Sequence, residues 1–164
     1  MSDQDDNPPA FFCDAMLGGL ARWLRGAGYD AAFEHGIDDG VIVAESLETG
    51  RVLLSSDGPM FERKVIREGQ LKALFVPRQL SRIDQFSYVV NKLALKRLPA
   101  RCMACGGQLR EIPKHSVLDE APPLAHRWCD TFYRCMRCGK LMWRGTHWKT
   151  IDARLNEMMN APGT

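Results

Sequence analysis

Four of the six cysteines form two pairs with the same spacing. Cys102 and Cys105 lie in "RCMACGGQL", and Cys135 and Cys138 lie in "YRCMRCGKLMW". Two intervening residues let a tight turn direct both sulfurs at one ion, and the glycine after each pair permits the positive φ that such a turn needs. Two turns of this kind complete a closed, tetrahedral Cys₄ site of the structural type. The spacing therefore predicts a bound Zn²⁺, although a rubredoxin-like iron site uses the same ligands.

The two remaining cysteines have different predicted roles. Cys13 lies in a short apolar run and is expected to be a small buried hydrophobic residue. Cys129 lies six residues before Cys135 and is either a spare thiol or an alternative metal ligand. The start of the sequence, "MSDQDDNPPA", lacks the basic and apolar regions of a signal peptide, so a cytoplasmic location without disulfides is expected.

Several aspartates occur where predicted strands end or helices begin. Asp14 follows "AFFC", Asp57 follows "VLLSS", and Asp38 and Asp39 begin a predicted helix. Because the carboxyl ends of parallel strands share one edge of a sheet, Asp14 and Asp57 should lie on the same rim. Clustered carboxylates repel unless a cation neutralises them, and their oxygens suit Mg²⁺ or Mn²⁺. The alternative to a metal site is that these aspartates have local structural roles. Asp14 and Asp39 would then cap helices, and Asp57 would belong to a turn.

Strand-like and helix-like segments alternate four times in the first hundred residues. This alternation predicts a parallel sheet with helices on its faces. It breaks near Pro99, and "THWKTIDARLNEMMN" later predicts a closing helix. The predicted units are a disordered tail, an α/β domain, and a metal-binding segment that includes the closing helix, over residues 1–9, 10–99 and 100–164. The predicted strands cover 10–13, 29–34, 51–57 and 71–77, and the predicted helices cover 16–28, 38–50, 58–69 and 78–98.

The composition fits a globular chain with an anionic partner. The 164 residues are 45% hydrophobic and 26% charged, which is enough apolar material for a core. No apolar run approaches the roughly 20 residues that a membrane helix needs, so no membrane association is expected. Residues 1–100 contain 12 Lys and Arg against 14 Asp and Glu, whereas residues 101–164 contain 10 against 6. This excess of basic residues toward one end indicates an anionic ligand.

Basic and aromatic residues mark two candidate surfaces for such a ligand. On the first predicted helix, Gly18, Arg22 and Arg25 share one face, where the missing side chain of the glycine would let a phosphate approach. The second surface is the basic and aromatic end of the cysteine-rich segment, around Arg144, Trp148 and their neighbours, which include Arg134, Arg137, Lys140, Trp143, His147 and Lys149. The alternative is a solvated basic surface with tryptophans that pack within the segment.

Several of these stretches together resemble one protein family. "DAMLGGLARWLRGAGYDAAF", then "DD", then "GRVLLSSD", then two CxxC pairs that end in "CGKLMWRGTHW", are similar to the Mut-seven C-terminal ribonuclease domain family. The resemblance runs from about Phe11 to Trp148. It implies a PIN-like α/β/α core with a mostly parallel sheet of four or five strands, followed by a zinc ribbon. It also implies a metal-dependent activity that cleaves RNA.

The resemblance assigns roles to the aspartates by position. Asp14 matches the first PIN-like acid, Asp39 or Asp38 the second, and Asp57 the third, and these would bind Mg²⁺ or Mn²⁺. The family commonly has threonine and arginine before the last aspartate, where this chain has Ser55 and Ser56. A further acid, usual beyond the third strand, has no clear match, since Asp84 lies inside a predicted helix.

Two functions remain open at this point. The first is an endoribonuclease that uses Asp14, Asp39 and Asp57, with RNA contacts from Arg22, Arg25, Arg144, His147 and Trp148. The second is a catalytically weak or inactive zinc-ribbon protein that binds RNA or the ribosome, which the missing acid favours. A nuclease held inactive by a protein partner is a third interpretation, and nothing in the sequence identifies such a partner.

Overall fold

Four parallel strands form the first sheet of the computed structural model, which describes residues 7–160. Residues 1–6 of the predicted tail lie outside the described residues. The strands are hydrogen-bonded in the order β2-β1-β3-β4. Successive strands are therefore added in opposite directions on either side of the point between β1 and β3, where the strand order reverses. Open sheets of this kind bind ligands outside the carboxyl ends of the strands at such a reversal. The bounds are β1 (Phe11–Cys13), β2 (Ala31–Phe33), β3 (Val52–Ser55) and β4 (Ala73–Phe75).

Helices cover both faces of this sheet and give three layers. Side chains alternate across a strand: Phe11 packs in one core cluster with Leu20 and Phe86, whereas Phe12 packs in a second cluster with Ile42. Helices α1 and α4 therefore cover one face, and α2 and α3 cover the other. The predicted α/β/α class is confirmed. The bounds are α1 (Gly18–Gly26), α2 (Asp39–Thr49), α3 (Lys64–Arg67) and α4 (Arg82–Leu93).

One predicted helix is divided in the structure. The single helix predicted over 58–69 is a 3₁₀ turn, Gly58–Glu62, followed by the short α3, with Arg63 extended between them at φ −62° and ψ 136°. A continuous α-helix would place Met60 and Val65 on different sides, because each residue turns the helix by about 100°. The extended residue allows both side chains to pack in the second core cluster.

The cysteine-rich segment forms a small antiparallel sheet with its own core, which we call the ribbon. Its strands lie in the order β5-β6-β7. A 3₁₀ turn, Lys114–Val117, and a short helix occupy the turn-rich stretch between the first two strands. Val117, Phe132 and Leu141 are at the centre of this core. The bounds are β5 (Leu109–Ile112), α5 (Pro123–Trp128), β6 (Phe132–Cys135) and β7 (Leu141–Trp143).

The closing helix α6 (Thr146–Asn160) returns to the first core. Leu155 is fully buried there, and Ile151 and Met158 pack against the same cluster. The sequence pattern assigned this helix to the metal-binding segment, but its apolar side completes the α1 and α4 face of the α/β layers. Within the residues described, neither α6 nor any other helix has the length and apolar character that a membrane crossing requires.

We expect Leu155→Ala to lower the free energy of unfolding by about 2–5 kcal/mol, because it leaves a cavity between α6 and the first core. Leu47→Ala is the matched control: Leu47 is 41% exposed on α2, and its loss should change stability by no more than about 0.5 kcal/mol. Urea denaturation of both variants measures the difference. Equal losses would contradict the packing of α6 described above.

Candidate functional site

Asp14 is held in place at the carboxyl end of β1. Its backbone N–H donates to the carbonyl of Leu54 over 3.0 Å, so the residue continues the pairing with β3. Its side chain is only 4% exposed. One carboxylate oxygen accepts a hydrogen bond from the Met16 backbone N–H at 2.8 Å, and the other accepts one from the hydroxyl of Ser55. The carboxylate is therefore oriented by two donors from the sheet edge.

Ser55 connects the ends of two neighbouring strands. Its hydroxyl donates to Asp14 and accepts from the backbone N–H of Asp57, 3.0 Å away. Both aspartates are thus fixed relative to one side chain on the rim, as predicted for Asp14 and Asp57. In the sequence alone, Ser55 is only a departure from the family pattern. A hydroxyl two residues before Asp57, in a strand beside one that ends in an aspartate, is the signal for its role.

Asp38 and Asp39 have separate functions at the start of α2. Asp38 is the N-cap, and its carboxylate accepts a hydrogen bond of 2.8 Å from the Gly40 N–H. Asp39 is the first helical residue. Its pKa is raised above the usual value by partial burial and by the charges of Asp57 and Asp14, against an opposing effect of Arg63. Asp39 therefore lies in the field of the other two carboxylates, and the cap of α2 is Asp38 rather than Asp39, for which the capping alternative was given.

Asp14, Asp39 and Asp57 do not form a compact ligand cluster. Among the side chains described, a single group of three or more His, Cys, Asp and Glu residues has all its ligand atoms within 4.8 Å of one another, and it consists of cysteines. The negative charge of Asp14, Asp39 and Asp57 is thus concentrated at one edge without a compact cage. The positive charge of Arg63 partly offsets the effect of the other acids on the pKa of Asp39.

The four paired cysteines form that compact group. The sulfurs of Cys102 and Cys138 are 3.8 Å apart, and those of Cys105 and Cys135 are 3.4 Å apart. A tetrahedral site with Zn–S bonds of about 2.3 Å has sulfur–sulfur edges of about 3.8 Å. The distances match this geometry, so the cluster can bind zinc.

The backbone of each cysteine turn supports the sulfur atoms. The Gly107 N–H donates to Cys105 Sγ over 3.3 Å, and the Arg137 and Cys138 N–H groups donate to Cys135 Sγ over 3.4 Å. Such donors stabilise thiolates, which are the form that binds a metal. The glycine after each pair has a positive φ, +84° at Gly106 and +75° at Gly139, as the spacing predicted.

The other two cysteines lie apart from this group. Cys129 is buried in the ribbon core with its sulfur 3.7 Å from the Arg144 carbonyl oxygen, which fits the spare thiol of the two predicted alternatives. Cys13 is fully buried in β1, and this burial raises the pKa of its thiol to about 12. It is the small buried hydrophobic residue that the sequence predicted.

Arg25 joins the ribbon to the α/β layers instead of facing solvent. Its guanidinium is buried and donates to the carbonyls of Ala31 in β2 and of Met103 and Ala104 in the first cysteine turn, at 2.8, 3.1 and 3.2 Å. Burial lowers the pKa of this group. The sequence pattern placed Arg25 beside Arg22 on a phosphate-facing side of the helix, and the structure does not.

Asp30 forms a second connection between the two sheets. It accepts from Arg51 at 3.0 Å and from Arg137, in the second cysteine turn, at 3.0 and 3.2 Å. Burial raises the pKa of Asp30, but these two arginines outweigh it and hold the pKa below the usual value. Arg134 is paired with Glu120 at 2.6 Å. Arg134 and Arg137 therefore already have carboxylate partners, unlike the free cations expected from the sequence.

The remaining predicted RNA contacts line one groove of about 590 Å³ between α1, the ribbon and α6. We call it the aromatic groove. None of the four candidate aspartates, all within the described part of the chain, lines it. Gly18 faces elsewhere, because a Cβ there would lie 2.9 Å from the ring of Phe33. The aromatic and basic residues that define the groove are Arg22, Tyr133, Trp143, Arg144, His147 and Trp148.

Comparison with family models gives a match over residues 9–155 to the Mut7-C RNAse domain. The chain belongs to this family. The Mut7-C match covers both sheets and the first two thirds of α6, so the family model includes the α/β layers and the ribbon together. Comparisons with curated proteins and with solved structures found no match.

We expect the purified Mut7-C protein to contain about one zinc per chain, and Cys102→Ser to lose it, because a closed site of this type needs all four sulfurs. Cys129→Ser is the matched control: it removes a buried thiol from the same segment and should retain the metal. Elemental analysis together with a thiol count measures both. Loss of zinc in the Cys129 variant alone would contradict the ligand set.

Proposed function

We propose that this protein is a metal-dependent endoribonuclease that hydrolyses phosphodiester bonds in RNA, with its active site at the carboxyl edge of the first sheet. One observation carries the proposal: Asp14, Asp39 and Asp57 come from three elements at the carboxyl edge of the sheet, where the strand order changes direction between β1 and β3, and the charges of Asp57 and Asp14 act on Asp39. Membership of the Mut7-C RNAse domain family supports a nuclease and RNA as its substrate.

The donor set at this edge fits a hard divalent cation. Mg²⁺ and Mn²⁺ prefer carboxylate oxygens, and Mg²⁺ is often bound by only one or two carboxylates while it keeps several waters. Each oxygen of Asp14 accepts one hydrogen bond, which leaves further lone pairs free. The pKa of Asp39 is raised first by burial and then by repulsion from Asp57 and Asp14, and a cation would relieve this repulsion. Asp14, Asp39 and Asp57 are the residues that would bind it.

The side chains around this edge have distinct proposed roles. When bound, a divalent cation would polarise the phosphodiester and lower the pKa of a coordinated water. Ser55 orients the carboxylate of Asp14 and accepts from the backbone N–H of Asp57, so the Asp14 carboxylate needs little rearrangement. Arg63, which opposes the charge of Asp39, is the nearby cation for a substrate phosphate.

The ribbon has a structural and a binding role in this proposal. A zinc ion held by Cys102, Cys105, Cys135 and Cys138 stabilises the two turns that contact Arg25 and Asp30. The cysteine turns thereby keep the ribbon beside α1. Arg22, Arg144, His147 and Trp148 would contact the RNA.

A catalytically weak or inactive RNA-binding protein is the second candidate function. It is favoured because Asp14, Asp39 and Asp57 do not form a compact ligand cluster. The lack of a further acid also favours it: the Asp84 carboxylate accepts a hydrogen bond of 2.8 Å from the hydroxyl of Ser81, which is the N-cap of α4. The two experiments below distinguish the candidates.

The first experiment concerns stability. An acid with a raised pKa in the folded state destabilises the fold when ionised, and this cost disappears as the pH falls through that pKa. Without divalent cations, Asp39→Asn should therefore raise Tm slightly at pH 7 and less near pH 4. Mn²⁺ should raise the Tm of the wild type more than that of the variant.

Asp38→Asn is the control for this measurement, because asparagine caps helices as well as aspartate. Its Tm should match that of the wild type with and without Mn²⁺. An equal response of the wild type and the Asp39 variant to Mn²⁺ would exclude Asp39 from the cation site.

The second experiment measures cleavage of a labelled single-stranded RNA with Mg²⁺ or Mn²⁺. Asp14→Asn and Asp57→Asn should each lower the rate by at least about 100-fold, since loss of cation binding removes several kcal/mol of transition-state stabilisation. Asp84→Asn should retain the wild-type rate. If the Asp14→Asn and Asp57→Asn variants both cleave RNA at the wild-type rate, the proposed active site is refuted. If the wild-type protein does not cleave RNA at all, the second candidate function is favoured.

A further inference from the structure

The aromatic groove is lined by positive charge. Arg22, Arg101, Lys140 and Arg144 line it, and its lining, which consists entirely of described residues, includes no aspartate or glutamate. Arg22, Lys140 and Arg144 are exposed. Such a surface attracts an anionic ligand, and its affinity depends strongly on salt.

The walls of the groove are aromatic and apolar. Trp143, Trp148 and Tyr133 contribute rings, and Met103 and Ile151 extend the apolar surface between them. The guanidinium of Arg144 lies 5.2 Å from the centre of the Tyr133 ring. It is thus held over an aromatic face, and its own plane can stack on a base. A ligand that matches these walls needs flat, exposed rings as well as negative charge.

These two features select among anionic ligands. A duplex presents phosphates but keeps its bases stacked inside the helix. An acidic peptide supplies charge but no series of flat rings. Single-stranded nucleic acid has both phosphates and free bases, and proteins bind it through basic grooves with aromatic stacking surfaces. The volume of about 590 Å³ lies within the range of about 300–1,000 Å³ that small ligands occupy in binding sites.

We propose that the aromatic groove binds unpaired nucleotides of single-stranded RNA, with bases against Trp148 and Trp143 and phosphates at Arg22 and Arg144. The choice of RNA rests on the proposed function. The proposal narrows the RNA substrate to single strands, and it places base stacking on residues of the ribbon and of α6.

The groove continues toward the carboxyl edge of the sheet. A smaller cavity of about 190 Å³ shares Arg22 and His147 with it and extends along α1 to Gly19 and Arg82. Gly19 lies in the first turn of α1, the helix that follows Asp14, and Arg82 begins α4 after β4. Helices that follow parallel strands begin at the carboxyl edge, so this extension leads a bound strand toward the aspartates.

Fluorescence anisotropy with the full-length zinc-bound protein, without added divalent cations, tests the proposal. The probes are a labelled 12-nucleotide single-stranded RNA and its duplex. We expect the single strand to bind at least about tenfold more tightly. Trp148→Leu should weaken its binding about 5- to 150-fold, which corresponds to one lost base stack. Trp148→Phe should restore most of the affinity, which a purely structural defect would not explain.

Two control variants match these substitutions. Trp128→Leu removes a tryptophan that is 73% exposed on α5, outside the groove, and should leave the affinity unchanged. Arg144→Gln should weaken binding and reduce the salt dependence by about one phosphate contact, whereas Arg110→Gln, at an exposed position of β5, should have no such effect.

Equal affinity for single strand and duplex would overturn the proposal, as would equal behaviour of the Trp148 and Trp128 variants. Competition by polyglutamate as effective as that by RNA of equal charge would also overturn it, in favour of a purely electrostatic surface. If RNA is cleaved but Trp148→Leu changes neither KM nor Kd, the groove is wrong and the nuclease stands. If binding depends on Trp148 without any cleavage, the groove stands and the nuclease is wrong.

Discussion

The buried guanidinium of Arg25 determines how the two sheets are arranged. A buried charge is costly unless hydrogen bonds replace its hydration, and here carbonyls from both parts of the chain supply them. Ala31 lies in β2, while Met103 and Ala104 lie in the first cysteine turn. The ribbon is therefore held against α1, which is also a wall of the aromatic groove and directly follows Asp14. The metal cluster, the groove and the acidic edge all depend on this contact for their relative positions.

The features that the sequence predicts correctly arise from local patterns. The period of the apolar residues places β3 and α6, and the CxxC spacing identifies the metal cluster, because each depends on residues close in the chain. Arg25 shows where local patterns end. Helical periodicity groups it with Arg22, but its partners Met103 and Ala104 are 78 and 79 residues away. The roles of Asp30 and of α6 are likewise determined by contacts distant in sequence.

The arrangement of the acidic edge can also be predicted only in part from the sequence. That Asp14 and Asp57 lie on one rim follows from the parallel sheet, which the alternation of strands and helices predicts. The orientation of the Asp14 carboxylate does not follow, because it depends on the hydroxyl of Ser55, which also accepts from the backbone N–H of Asp57. At α2, two adjacent aspartates look equivalent in the sequence. In the structure, Asp38 caps the helix, whereas the pKa of Asp39 is affected by the charges of Asp57 and Asp14.

The return of α6 to the first core means that the ribbon is an insertion rather than an appended domain. The chain leaves the α/β layers beside Gly28, where the Leu98 N–H donates to the Ala27 carbonyl over 2.9 Å, and it is anchored again at Leu155. Both ends of the ribbon are thus tethered to one body. Disorder within such a closed loop gains less entropy than disorder of a free tail, because its ends stay together. Contacts that hold the ribbon together therefore act against a smaller gain of entropy than they would in a free tail.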